Sequence, residues 1–105
     1  MGIKYDVMDG KGKTLEFVFH FDAGHGWLQV PIDLVVKLGL AREVSGCSYR
    51  HGEWLYLEED CDASLVVTEL KNRGFEIRFV EQNDGDDSPI RNYAQYEAVP
   101  EHSQF

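Results

Sequence analysis

Residues 14–31 read TLEFVFHFDAGHGWLQVP and decide the fold, because they predict two strands joined by a turn. Between Thr14 and Phe21, Leu and Phe alternate with mainly polar residues, which is the period-two pattern of a strand with one buried face. This pattern puts His20 on the face opposite the phenylalanines. Asp22 and the two glycines after it interrupt the strand, and an apolar run resumes at Trp27–Val30. We therefore expect a β-hairpin whose loop carries histidines and whose glycines supply positive φ.

Two helices and three more strands are predicted after this hairpin. In chain order they are a helix from Pro31 to Leu38, strands at Cys47–Tyr49 and Glu53–Glu58 around a tight turn at His51-Gly52, a helix that begins at Asp60 or Asp62 and ends before Gly74, and a strand at Phe75–Val80. Apolar residues at helical spacing, a proline at the first helical position and glycines at the ends support the helices. The order β-β-α-β-β-α-β predicts an α+β two-layer sandwich, with two short helices on one face of a mixed or mostly antiparallel sheet.

A chain of 105 residues is long enough for one hydrophobic core. We expect a flexible leader at residues 1–13, a single domain at residues 14–96 and a flexible tail at residues 97–105. Within the domain, residues 90–96 can pack back on the body through apolar and tyrosine side chains. No apolar run is long enough to cross a bilayer and no signal-peptide pattern begins the chain, so the expected location is the cytoplasm, without membrane contact.

The net charge of −9 is concentrated in two acidic blocks. Residues 51–70 hold six acids and no Lys or Arg, and residues 81–105 hold six acids against the single base Arg91. Such a surface repels phosphate, which disfavours direct binding of nucleic acid, and it suits a basic protein partner, including one whose nucleic-acid groove is lined with Lys and Arg. The predicted binding residues are Glu58, Glu59, Asp60, Asp62, Asp84, Asp86 and Asp87, with Trp27 as an aromatic anchor.

A metal site is the alternative interpretation of the hairpin loop. His20, Asp22 and His25 lie within six residues, and zinc or another divalent metal accepts imidazole and carboxylate ligands. The carboxylates of residues 58–62 could complete such a site. Against it, the chain has no HExxH, CxxC or HxxxH spacing. A structural interpretation is also open, in which Asp22 and the glycines fix the loop and a histidine bonds to the backbone.

Cys47 and Cys61 are too few for a disulfide framework and too far apart in sequence for a CxxC motif. We expect both to be buried and reduced. A thiol–imidazole pair with His25 is conceivable, but nothing local marks either cysteine as an activated nucleophile. The sequence therefore favours a protein that is not an enzyme.

Four segments together resemble a family of small uncharacterised acidic proteins carried by bacteriophages, prophages and plasmids. They are residues 20–31 with the motif HxDxGHGWLxVP, Ser48-Tyr49 with Gly52, residues 56–63 with the motif YLEEDCDA, and residues 88–93. Members of that family usually have proline where this chain has Ala23. The resemblance supplies no catalytic residue. It implies a mobile-element origin and, by association, binding to host factors such as a restriction or CRISPR nuclease.

Overall fold

The computed structural model describes residues 7–98 and has the predicted α+β class. In chain order the elements are β1 (Thr14–Phe21), β2 (Gly26–Pro31), α1 (Ile32–Lys37), β3 (Tyr49–His51), β4 (Trp54–Glu58), α2 (Ala63–Asn72), β5 (Glu76–Asn83), a 3₁₀ turn at Pro89–Asn92, and β6 (Ala94–Gln95). The strands form one sheet in the order β5-β1-β2-β4-β3-β6. The β1–β5 pair is parallel and the other pairs are antiparallel, so the sheet is mixed.

Both helices cover the same face of the sheet. Phe17, Leu28 and Leu57 point to this face from three adjacent strands, as the period-two pattern predicts. They join one buried cluster with Leu34 of α1 and Leu70 of α2. The main core therefore lies between the helices and the centre of the sheet, where β4 is paired on both sides.

The other face of the sheet is partly covered by residues 84–96, which we call the C-terminal segment. Its 3₁₀ turn inserts Ile90, which is 1% exposed, between the buried side chains of Trp27 and Tyr56. β6 then pairs with β3 and forms the edge of the sheet, and the backbone N–H of Tyr96 donates to the carbonyl of Ser48. The packing of this segment gives the second face of the sheet a small core of its own. The sequence predicted that residues 90–96 pack on the body, but it predicted neither the 3₁₀ turn nor β6.

The hairpin glycines have a different role from the predicted one. Neither Gly24 nor Gly26 has a positive φ. A Cβ at Gly26 would lie 2.4 Å from Cζ of Phe19 and 2.7 Å from Oε1 of Glu59, so any larger residue here would have to displace these two side chains. By contrast, Gly39 after α1 has the positive φ expected of a helix-ending glycine. Pro31 is the last residue of β2 and precedes the first helical residue.

The described part of the predicted leader contacts the body. Val7 is buried, and its carbonyl accepts a hydrogen bond from the Arg73 guanidinium. The backbone N–H of Gly10 donates to the carbonyl of Arg73. Residues 1–6 and 99–105, with the rest of the predicted leader and tail, lie outside the described residues. Within residues 7–98, neither helix has the length and apolar character that a bilayer span needs.

Replacing Ile90 by Ala should lower the free energy of unfolding by about 2–5 kcal/mol, which is the usual cost of truncating a buried isoleucine. The control is Val36→Ala on the outer face of α1, where the side chain is 56% exposed. The control should change the free energy by no more than about 0.5 kcal/mol. Urea denaturation measures both. Equal effects of the two substitutions would mean that the C-terminal segment contributes no packing.

Candidate binding site at the acidic end of the sheet

The predicted site residues come together because of the strand directions. β1, β4 and β5 all end, and β2 begins, at the same end of the sheet. Three connections therefore meet there, namely the β1–β2 loop, the β4–α2 turn and the chain after β5. We call this region the acidic end. The hydrogen bond from the backbone N–H of Glu59 to the carbonyl of Gly26 joins two of the connections directly.

The carboxylate of Asp22 is the centre of this region. Its side chain is fully buried. Oδ1 accepts hydrogen bonds from the backbone N–H groups of Gly24 and His25, both at 3.0 Å, and from Nη2 of Arg91 at 2.9 Å. Oδ2 accepts from Nε of Arg91 at 2.6 Å and from the backbone N–H of Ser88 at 2.8 Å. These five bonds use the acceptor capacity of a carboxylate, so they tie the hairpin loop to the C-terminal segment.

Asp22 is ionised in the folded protein. The hydrogen bonds from Arg91, with further ones from backbone N–H groups, hold the pKa of this carboxyl well below its usual range, although burial opposes the shift. Asp22 in turn raises the pKa of Arg91. The Arg91 guanidinium also lies 5.4 Å from the centre of the Trp27 ring. The Arg91 guanidinium, whose side chain is 33% exposed, is therefore held against the buried Asp22 carboxylate and an aromatic ring.

The two histidines of the predicted metal site have other partners. Nε2 of His20 lies 2.7 Å from Oε1 of Gln29, and its Nδ1 lies 3.2 Å from Oδ2 of Asp84. Nδ1 of His25 lies 3.2 Å from Oε2 of Glu58. The side chains of His20, Asp22 and His25 thus have different side-chain partners, and neither imidazole bonds to the Asp22 carboxylate. Within residues 7–98, no group of three or more His, Cys, Asp or Glu side chains is arranged to hold a metal ion, so zinc binding stays a prediction without a supporting arrangement.

Three of the predicted acidic binding residues, together with Trp27, are internal. Glu58 and Trp27 are buried in the sheet, and the side chain of Asp84 is 6% exposed. Asp62 is 2% exposed and stands at the N-cap of α2, but its carboxylate makes no cap bond. It accepts instead from the hydroxyl of Ser48 at 2.5 Å and from the hydroxyl and backbone N–H of Ser45. The carboxylates of Glu58, Asp62 and Asp84 therefore accept hydrogen bonds that stabilise the loops.

Four predicted acids remain on the surface: Glu59, Asp60, Asp86 and Asp87. They come from two connections of the acidic end. Asp87 lies 4.0 Å from Nε of Arg91, and its side chain is 88% exposed, so it remains open to a partner. Of the predicted binding residues, two consecutive pairs of carboxylates therefore remain at the surface of this region.

Two grooves open beside the β4–α2 turn. A groove of about 380 Å³ is lined by His25, Trp27, Cys47, Tyr49, Glu58, Asp60, Cys61 and Arg91. Another of about 360 Å³, mainly apolar, runs between α2 and the β1–β5 pair and is lined by Phe19, Leu28, Glu59, Ala63, Ser64, Val67, Phe79 and Glu81. The neighbouring residues Glu59 and Asp60 thus line different grooves. Each groove combines aromatic or apolar walls with carboxylates at the surface.

Sequence reasoning missed Arg91, Ser88 and Ser48 as residues that build this region. The one available signal was the isolation of Arg91 among acids, which suits an internal partner of a carboxylate. No family model matches the chain, and comparisons with curated proteins and with solved structures found no match. In the absence of a match, the fold and the site alone assign the molecule to a class. It is an α+β domain in which the acidic end of the sheet carries two grooves.

Replacing Asp22 by Asn should destabilise the protein at pH 7 and alter its pH dependence. Because the pKa of Asp22 is lowered by folding, its ionised form stabilises the fold above the ordinary aspartate pKa of about 3.9. That contribution is lost as the pH falls below this value towards the lower pKa of the folded state.

The difference in urea midpoint between wild type and Asp22→Asn should therefore be largest near neutral pH and should narrow between about pH 4 and about pH 2. Asp33→Asn, at an exposed position of α1, is the matched control and should stay close to wild type. A difference for Asp22→Asn that stays constant over this pH range would contradict an ionised, stabilising Asp22.

Proposed function

We propose that this chain is a small acidic interaction protein of a mobile genetic element, and that the acidic end of its sheet binds a basic surface of a host protein. The observation that carries the proposal is the exposure of Glu59, Asp60, Asp86 and Asp87 at one end of the sheet. Residues distant in sequence reach the same end because β4 and β5 run in the same direction.

The connections that carry the exposed acids are joined to each other by hydrogen bonds. Arg91, the single base among residues 81–105, is paired with the buried Asp22. Its short ion pair is with this internal carboxylate, at 2.6 Å, and of the exposed acids Asp87 lies 4.0 Å from its Nε. Ordered carboxylates on a fixed backbone lose less conformational entropy on binding than carboxylates on a flexible tail. This arrangement supports recognition of Lys and Arg by a defined surface.

The two grooves provide the apolar part of an interface. Protein interfaces combine a desolvated centre with a polar rim, and aromatic residues are common at the centre. Phe79, which is 48% exposed, lines the groove beside Glu59, and Tyr49 lines the groove beside Asp60. A basic side chain of the partner would then meet a carboxylate and an apolar wall together, which favours Arg over Lys.

The proposed partner class is a nucleic-acid-binding protein of the host cytoplasm. A groove that binds DNA or RNA is lined with Lys and Arg, and a rigid acidic surface competes with the phosphate backbone for it. A defence effector, such as a restriction or CRISPR nuclease, fits this description and agrees with the resemblance to mobile-element proteins. Binding there would inhibit the effector without any catalytic residue in this chain.

The test uses a variant with Glu59→Gln, Asp60→Asn, Asp86→Asn and Asp87→Asn. Purified wild type and variant are used to capture proteins from a bacterial lysate at about 0.15 M and about 0.5 M salt. Wild type should retain a basic nucleic-acid-binding protein at the lower salt concentration and lose much of it at the higher one. The variant should lose that partner at both concentrations, because the complementary charge has been removed.

The control removes four exposed acids at the other end of the sheet, by Glu16→Gln, Asp33→Asn, Glu53→Gln and Glu76→Gln. It changes the net charge by the same amount and should keep the partner. Phage plating on a host that carries the captured effector provides the second measurement, in which wild type and control should restore plaques. Equal capture by the acidic-end variant and the control would overturn the proposal.

A further inference from the structure

Cys47 and Cys61 are neighbours in space. The structure corrects the prediction that they are buried, because both are free and exposed. Cys47 lies in the loop before β3 and Cys61 lies in the β4–α2 turn, and both side chains line the groove of about 380 Å³. Two thiols that lie 14 positions apart in sequence therefore line the same groove.

The segments that carry the thiols are fixed to each other. The carboxylate of Asp62, next to Cys61, accepts hydrogen bonds from Ser45 and Ser48 on either side of Cys47. The hydroxyl of Ser48 also accepts from the backbone N–H of Glu58, at 3.0 Å. Because Asp62 and Ser48 are both buried, these bonds hold the two backbones at a fixed separation.

The thiols also affect each other's chemistry. The interaction with the neighbouring Cys47 thiol, partial desolvation and the carboxylate of Glu58 together raise the pKa of Cys61 to about 12. A protonated thiol is a poor nucleophile, so this interaction slows the reaction of the reduced pair with an oxidant until one of the two thiols ionises.

We propose that Cys47 and Cys61 form a reversible intramolecular disulfide by exchange with a small-molecule disulfide such as oxidised glutathione. The cysteine pair is thus a site of covalent modification whose two segments are already connected by hydrogen bonds in the reduced protein. It is independent of the proposed function, because neither its formation nor its measurement requires a protein partner.

The exchange proceeds in two steps. One of the two cysteine thiolates attacks one sulfur of oxidised glutathione, a mixed disulfide forms, and one glutathione leaves as a thiolate that takes up a proton. The other cysteine then loses its proton to solvent and attacks the protein sulfur of the mixed disulfide, which releases the second glutathione as a thiolate that takes up a proton. The protein dithiol is oxidised by two electrons, and oxidised glutathione is reduced to two thiols.

The test equilibrates wild-type protein with mixtures of oxidised and reduced glutathione, followed by acid quenching and mass spectrometry of the intact chain. We expect the species that has lost two hydrogens to dominate over mixed disulfides, and the thiol titre to fall from two per chain to none. Dithiothreitol should restore both thiols. Disulfide-linked dimers, or glutathione adducts on both cysteines, would overturn the proposal.

A second measurement separates a preorganised pair from two thiols that meet by chance. The equilibrium constant for formation of the intramolecular disulfide in glutathione mixtures is measured for the folded protein and for the chain unfolded in guanidinium chloride. The folded protein should favour the intramolecular disulfide by at least about tenfold over the unfolded chain, since the fold raises the effective concentration of one thiol near the other. Equal constants would overturn the proposal. Cys47→Ser and Cys61→Ser, which leave a single thiol, should each stop at one mixed disulfide.

Discussion

The ion pair between Asp22 and Arg91 is the interaction on which the rest of the acidic end depends. A buried carboxylate is tolerated only when its charge and its acceptor positions are satisfied, and removal of one partner of such a pair is costly. Here the partners come from the hairpin loop itself and from the C-terminal segment. The charge of Asp22 therefore requires the C-terminal segment to be in place. That segment in turn covers Trp27 and Tyr56 and positions Asp86 and Asp87 beside the sheet.

Both helices and most strands could be predicted from local sequence because period-two alternation and helical spacing record which side chains face the core. β4 illustrates this: Leu55 and Leu57 face the helices, while Tyr56 faces the other side. The exceptions are β3, which lies at Tyr49–His51 rather than at the predicted Cys47–Tyr49, and β6, which was not predicted. The Asp22–Arg91 pair left no such record, because the two residues are 69 positions apart. The same limit applies to Gly26, whose role comes from the close approach of Phe19 and Glu59 rather than from its own backbone conformation.

The location of the acidic site was predictable only in part, because a count of charges does not distinguish structural from exposed carboxylates. Glu58 continues the alternation of β4 onto the face that contains Tyr56, so its burial follows once the C-terminal segment covers that face. Asp62 is buried because two serines surround its carboxylate. Glu59 and Asp60 lie in the turn between these two positions and face solvent. Within one acidic run, tertiary contacts therefore separate the acids that build the site from those that can bind a partner.

Amide hydrogen exchange at Ser88 tests the central claim most directly. The backbone N–H of Ser88 is buried and donates to Oδ2 of Asp22, so its exchange reports whether the C-terminal segment is held by that carboxylate. In the wild type we expect protection comparable to that of the β1–β2 amides, and in Asp22→Asn we expect exchange at Ser88 to accelerate while those amides stay protected. Two results would contradict a C-terminal segment held by Asp22. One is exchange at Ser88 of the wild type that is as fast as at the exposed Asp86; the other is equal protection of Ser88 in the wild type and in Asp22→Asn.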